Sequence, residues 1–121
     1  MPKILVIEDM PDSADLAAQI LRNYGHSVSI AETGERGLAL AAEHQPDLIV
    51  YDYWLPDLDA RTFLTRLRAN PELQAVKIIV CTATPKEILS QSLGEDYNFD
   101  GYILKPYRLT NFMQEVEAQL P

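Results

Sequence analysis

The side chains best suited to chemistry are Glu8 and Asp9, Asp52, Thr82 and Lys105. They are spread over nearly the whole chain, yet each closes a short apolar run. If those runs are neighbouring strands, three carboxylates, a hydroxyl and an ammonium meet on one rim. Close carboxylates repel one another, so the bare cluster should hold at least one raised pKa. A hard divalent cation relieves that repulsion. All-oxygen ligation with few protein ligands suits Mg²⁺, which keeps several waters and often takes a phosphate oxygen as a further ligand. With the cation bound and Lys105 nearby, the rim can accept negative charge that the bare cluster would reject. An aspartate there could attack a phosphoryl group as a nucleophile. Lys105 and Thr82 would meet the charge developing on the equatorial oxygens. The chemistry these residue types point to is phosphoryl acceptance, not redox or acyl transfer.

Five runs read as the strands that must carry these residues. Lys3–Ile7, Asp47–Tyr51 and Lys77–Cys81 are nearly solid apolar, the mark of strands buried on both faces. His26–Ile30 alternates, as a half-buried strand would, and Gly101–Leu104 is the fifth. Helical patterns lie between them. Leu16, Ile20, Leu21 and Tyr24 share one stripe, stopped by Gly25. Thr33 can cap a helix reaching His44, with Leu38, Ala41 and Ala42 inward. Asp59 can cap a third, with Phe63, Leu64 and Leu67 on its stripe. Pro85 suits the first turn of a fourth, where Ile88, Leu89 and Leu93 are apolar. Leu109, Phe112, Met113, Val116 and Leu120 define the fifth. This β-α alternation predicts an α/β fold, a doubly wound five-stranded parallel sheet with helices on both faces. Such sheets work at the carboxyl ends of their strands.

The acidic pair Glu8-Asp9, the stretch Asp52-Tyr53-Trp54-Leu55-Pro56-Asp57-Leu58-Asp59, the pair Thr82-Ala83 and Lys105-Pro106 together resemble the receiver domains of two-component response regulators, of the chemotaxis-regulator type. The resemblance covers the whole chain, 1–121, as a single receiver domain. It implies the flavodoxin-like strand order 2-1-3-4-5 with five helices. It also implies that Asp52 is the phosphoacceptor, and that Asp9 (directly) and Glu8 (through water) hold Mg²⁺ with Asp52 and the backbone carbonyl of Trp54. Thr82 and Lys105 would bind phosphoryl oxygens beside Ala83. Lys105-Pro106 would be a cis peptide, and Tyr102 an aromatic switch coupled to Thr82. Two positions depart from the family pattern. Ala60 stands where Gly is common, with a small effect expected if the backbone there is near helical. Trp54 borders the phosphoryl position and would shield an acyl phosphate, aided by Thr84, which has no amide or acid to orient water.

The resemblance further implies a cytoplasmic signalling switch without activity on an outside substrate. Its phosphoryl donor would be a sensor histidine kinase or phosphotransfer protein. The moving surface would be the fourth helix, fifth strand and fifth helix, in a monomer or weak dimer. Alternatives are an interaction module that works without phosphorylation, or the receiver of a larger transcriptional regulator. A net charge of -8 argues against direct nucleic-acid binding. No apolar run approaches a bilayer span. An aspartyl-phosphate phosphatase of similar topology would need an acid where Trp54 stands. A flavin carrier would need a polar phosphate loop where Glu8-Asp9-Met10-Pro11-Asp12 is acidic. The single Cys81 reads as packing, and His26 and His44 as surface residues.

Overall fold

Alternate residues of the apolar runs face opposite sides of one sheet, which is why the runs look solid in sequence. The computed structural model describes residues 1–121. Its strands are β1 (Lys3–Ile7), β2 (Ser27–Ala31), β3 (Leu48–Asp52), β4 (Lys77–Thr82) and β5 (Gly101–Leu104), all parallel, in the order β2-β1-β3-β4-β5. The helices are α1 (Pro11–Asn23), α2 (Gly34–His44), α3 (Ala60–Ala69), α4 (Lys86–Leu93) and α5 (Leu109–Gln119). Ile4, Val6, Leu48, Val50, Ile79 and Cys81 pack with Leu21 of α1 and Phe112, Met113 and Val116 of α5. Leu5, Ile7, Ile49, Tyr51, Ile78 and Val80 pack with α2, α3 and α4 on the other face. This is the doubly wound sheet expected from the β-α alternation, in the flavodoxin-like order that the resemblance implies. No helix is long and apolar enough to cross a membrane.

The helix ends follow the local chemistry. Thr33 accepts from the Arg36 amide at 3.0 Å and Asp59 from the Thr62 amide at 2.8 Å, so both expected caps form. Pro11 opens α1, and Gly25 leaves it with a φ of 88°. Pro85 sits one place before α4, at its N-cap, because its extended backbone (ψ 145°) lies outside the helix. Ala60 is the first helical residue of α3, where a methyl costs nothing.

Some faces differ from the periodic reading. In α1 the buried residues are Ala14, Ala17, Ala18 and Leu21, while Leu16 and Tyr24 are half exposed. Small alanines let α1 lie close on the sheet, which turns Leu16 and Tyr24 of the expected stripe outward while Leu21 stays buried. In α2, Gly37, Leu40 and Ala41 face inward and Ala42 faces solvent. Ile88 and Leu109 are also exposed. His44 is exposed as expected, but His26 is only half so, with a buried Nδ1 lacking a partner.

Gly37 marks the closest approach of α2 to the sheet. A Cβ there would lie 2.5 Å from Cδ1 and 3.0 Å from Cγ1 of the fully buried Ile7. Alanine in an exposed helix site is favoured over glycine by about 1 kcal/mol. At Gly37 overpacking should outweigh that gain. Gly37→Ala is expected to destabilise the fold by about 1–3 kcal/mol in urea denaturation.

Candidate functional site

The strand order reverses between β1 and β3, so a crevice opens at their carboxyl ends. Ile7 pairs with Tyr51, and one residue further along lie Glu8 and Asp52. Glu8 keeps the parity of Val6, and Asp52 that of Val50, so both fall on the α1/α5 side. Carboxylate oxygens of Glu8, Asp9 and Asp52 come within 4.8 Å of one another. Lys105, just past β5, reaches across the rim, and its Nζ lies 2.5 Å from Glu8 Oε1. The Lys105-Pro106 peptide is cis, as the resemblance implied.

Glu8 is only 4% exposed, and its second oxygen, Oε2, has no hydrogen-bond donor. Burial pushes the Glu8 carboxyl up, but hydrogen bonds from Asp52 and Lys105 and the lysine charge hold it below its ordinary value. Asp52 goes the other way. Burial, then the hydrogen bond and charge of Glu8, push it up to about 7. Of the two facing carboxyls, Asp52 carries the raised pKa because the ammonium sits against Glu8. Burial pulls Lys105 down, but its bond to Glu8 and the surrounding negative charge carry it above its ordinary value.

The loops after β3 and β4 frame the acids. The Trp54 amide donates to Asp52 Oδ1 at 3.3 Å, so that backbone lies beside the carboxylate. The indole is 64% exposed and packs edge-on against Tyr53. Its Nε1 donates to Thr84 Oγ1 at 2.8 Å. Thr82 is 1% exposed, and its hydroxyl accepts from the Thr84 amide at 3.2 Å. The Tyr102 hydroxyl donates to the Thr84 carbonyl, so Tyr102 is joined to the β4–α4 loop rather than to the acids. Ala83, Lys105, Pro106, Glu8 and Asp52 border a cleft of about 350 Å³ walled by Val6, Val50, Cys81, Leu16 and Phe112. Burial pushes the Cys81 thiol up to about 12, so sulfur there stays protonated.

Two residues at the site make bonds that their sequence context does not assign. Asp57 accepts from the Gly34 amide at 2.8 Å and the Glu35 amide at 2.9 Å, which ties the β3–α3 loop to the start of α2. Slight burial pushes its carboxyl up, but those amides hold it below its ordinary value. Thr84, which has no amide or acid in its side chain, is bonded through its backbone amide, its carbonyl and its hydroxyl. The Asp57 bonds and those of the Thr84 carbonyl and hydroxyl cross more than fifteen residues, and no local pattern announces them, whereas the Thr84 amide bonds locally to Thr82.

The family model of the response regulator receiver domain matches residues 4–117. The DNA-binding dual master transcriptional regulator RpaA of Synechocystis is 36% identical over 120 residues, 99% of this chain and 49% of the regulator. The chain therefore spans about half the length of that relative. Chemotaxis response regulator CheY4 of Vibrio cholerae superposes with a TM-score of 0.90 at 22% identity, covering 99% of both chains. The receiver domain of a sensor histidine kinase from Pseudomonas aeruginosa, solved with a magnesium ion coordinated in its active-site cleft, superposes at 0.87 with 24% identity, over 98% of this chain and 96% of that one. A family match that runs almost from end to end makes this chain a member of the response regulator receiver domains, whose general function is a phosphorylation-based switch.

Proposed function

We propose that Asp52 accepts a phosphoryl group from a sensor histidine kinase or phosphotransfer protein, with Mg²⁺ bound by Glu8, Asp9, Asp52 and the Trp54 carbonyl. The observation that carries this reading is the crowding of three carboxylates beside a single ammonium, with a buried Glu8 oxygen left without a donor. Oxygen-only donors at that spacing fit a hard divalent ion. When bound, the ion would neutralise the rim and draw in a phosphate oxygen.

In the transfer step an oxygen of the Asp52 carboxylate attacks phosphorus. An O–P bond forms, the P–N bond to the donor imidazole breaks, and the imidazole leaves with a proton. The attacking oxygen must be ionised, and cation binding favours that form against the raised pKa of Asp52. Lys105 would then exchange Glu8 for a phosphoryl oxygen, and Thr82 would donate its hydroxyl to another. The output is a shift of the face made by α4, β5 and α5, and the protein works in the cytoplasm as a switch on its own chain. The test is incubation with acetyl phosphate and Mg²⁺. Intact mass should rise by one phosphoryl group, and Asp52→Asn or chelation should abolish the rise.

Protonation gives a second expectation. With chelator present, folded Asp52 keeps its proton to about pH 7, whereas the unfolded chain releases it near 3.8. The folded state binds more protons across that window, so stability falls as pH rises from about 4 to about 7, then levels. The lowered Glu8 acts in the opposite sense, but only below 4.5. Asp52→Asn should flatten the slope. At neutral pH it should stabilise the metal-free protein by on the order of 1 kcal/mol, allowing for solvent screening. Urea denaturation across the window reads both. A third expectation concerns Trp54. Its indole shields the acyl phosphate, so the phosphorylated protein should decay faster in Trp54→Asn than in wild type at fixed Mg²⁺.

A further inference from the structure

Thr84 is gripped by three elements of the site. Its amide binds the Thr82 hydroxyl at 3.2 Å, its carbonyl accepts from the Tyr102 hydroxyl, and its own hydroxyl accepts from Trp54 Nε1 at 2.8 Å. Trp54 lies in the loop after β3 and Thr84 in the loop after β4. The indole bond is the only side-chain hydrogen bond joining those two loops, and they flank Asp52. Burial does little to hold the ring, which is 64% exposed. Its direction is set by the edge-on packing of Tyr53, with centroids 4.8 Å apart, and by the N–H bond. An indole N–H can only donate, so Thr84 Oγ1 must present a lone pair at this place for the ring to stay.

We propose that Trp54 and Thr84 form a latch, in which the indole–hydroxyl bond holds the β4–α4 loop in the arrangement of the unmodified chain and opposes the arrangement that grips a phosphoryl group on Asp52. The proposal rests on Asp52 being the acceptor. A contact made in one of two states biases the equilibrium toward that state by its own free energy. Thr84 cannot shift relative to Trp54 without breaking the 2.8 Å bond. Thr82 is bonded to the Thr84 amide and Tyr102 to its carbonyl, so both feel the same displacement. One bond therefore reaches the phosphoryl site on one side and β5 on the other. Trp54 and Thr84 act through Thr82 and are positioning residues. A hydrogen bond in partial contact with water shifts such an equilibrium by roughly fivefold.

Beryllofluoride, which mimics the phosphoryl group on Asp52, is titrated by calorimetry in excess Mg²⁺ into wild type, Thr84→Ser, Thr84→Val, Trp54→Phe and the double variant Trp54→Phe/Thr84→Val. The indole N–H resonance of Trp54, the single tryptophan, is followed by NMR in wild type, Thr84→Ser and Thr84→Val. Thr84→Val and Trp54→Phe should each bind roughly fivefold more tightly. The double variant should gain no more than either alone, and Thr84→Ser should match wild type. The wild-type indole resonance should move on ligand addition, and Thr84→Val should lack the hydrogen-bonded starting position. Equal affinities across the set, additive gains in the double variant, or Thr84→Ser behaving like Thr84→Val would overturn the latch. If wild type binds no beryllofluoride, the acceptor reading falls and the latch with it, whereas tight binding with unchanged variants overturns the latch alone.

Discussion

Like charges forced onto neighbouring rungs of one sheet are the constraint around which this site is built. The parallel pairing of β1 with β3 places Glu8 and Asp52 side by side, and Asp9 closes the group. Lys105 offsets one of the three charges by pairing with Glu8. The remaining imbalance appears as the raised pKa of Asp52 and as a buried Glu8 oxygen without a donor. Under the proposed function this imbalance is useful. The nucleophile is masked in the bare protein and released by the cation that the same carboxylates attract. The apolar surroundings of the rim strengthen every term in this balance, because charges interact more strongly where water is scarce.

The strands and the site were legible in the sequence for a common reason. Residues at the carboxyl end of a buried strand follow directly on its apolar run, so Glu8, Asp52, Thr82 and Lys105 could be assigned to one rim without knowing the strand order. The caps Thr33 and Asp59 were legible because a cap bonds within its own first turn. Helix faces were less so. Leu16 and Tyr24 fit an apolar stripe as well as Ala14 and Ala18 do, and hydrophobicity alone ranks leucine above alanine. What decided the matter was the space between α1 and the sheet, a property of two elements at once. The bonds of Asp57 to α2, of Tyr102 to the Thr84 carbonyl and of Trp54 to the Thr84 hydroxyl were not legible, since each joins segments whose proximity exists only after folding.

Beneath α4 the core is aromatic. Tyr51 stacks on Phe63 with centroids 4.5 Å apart and on Phe99 at 6.0 Å, and Phe99 meets Tyr97 edge-on at 5.3 Å. The Tyr51 hydroxyl is buried without a partner, and burial pushes its pKa upward. Against this layer α4 buries only Leu89 and Leu93 in its eight residues. Few buried contacts per helix mean a low cost of local displacement. Of the three elements in the face that the family resemblance implies would move, α4 is held to this core by only these two buried side chains.

Asp57 gives the loop beside Asp52 a second foundation. Because its carboxylate caps the first two amides of α2, the positive end of that helix pulls on the segment carrying Tyr53 and Trp54. The tension runs from a helix on the far side of the sheet, one that contributes no residue to the rim. Any tilt or slide of α2 along β1 is therefore transmitted as leverage on the geometry around the acids. The packing of Gly37 against Ile7, deep in the opposite layer, becomes part of what keeps that geometry still.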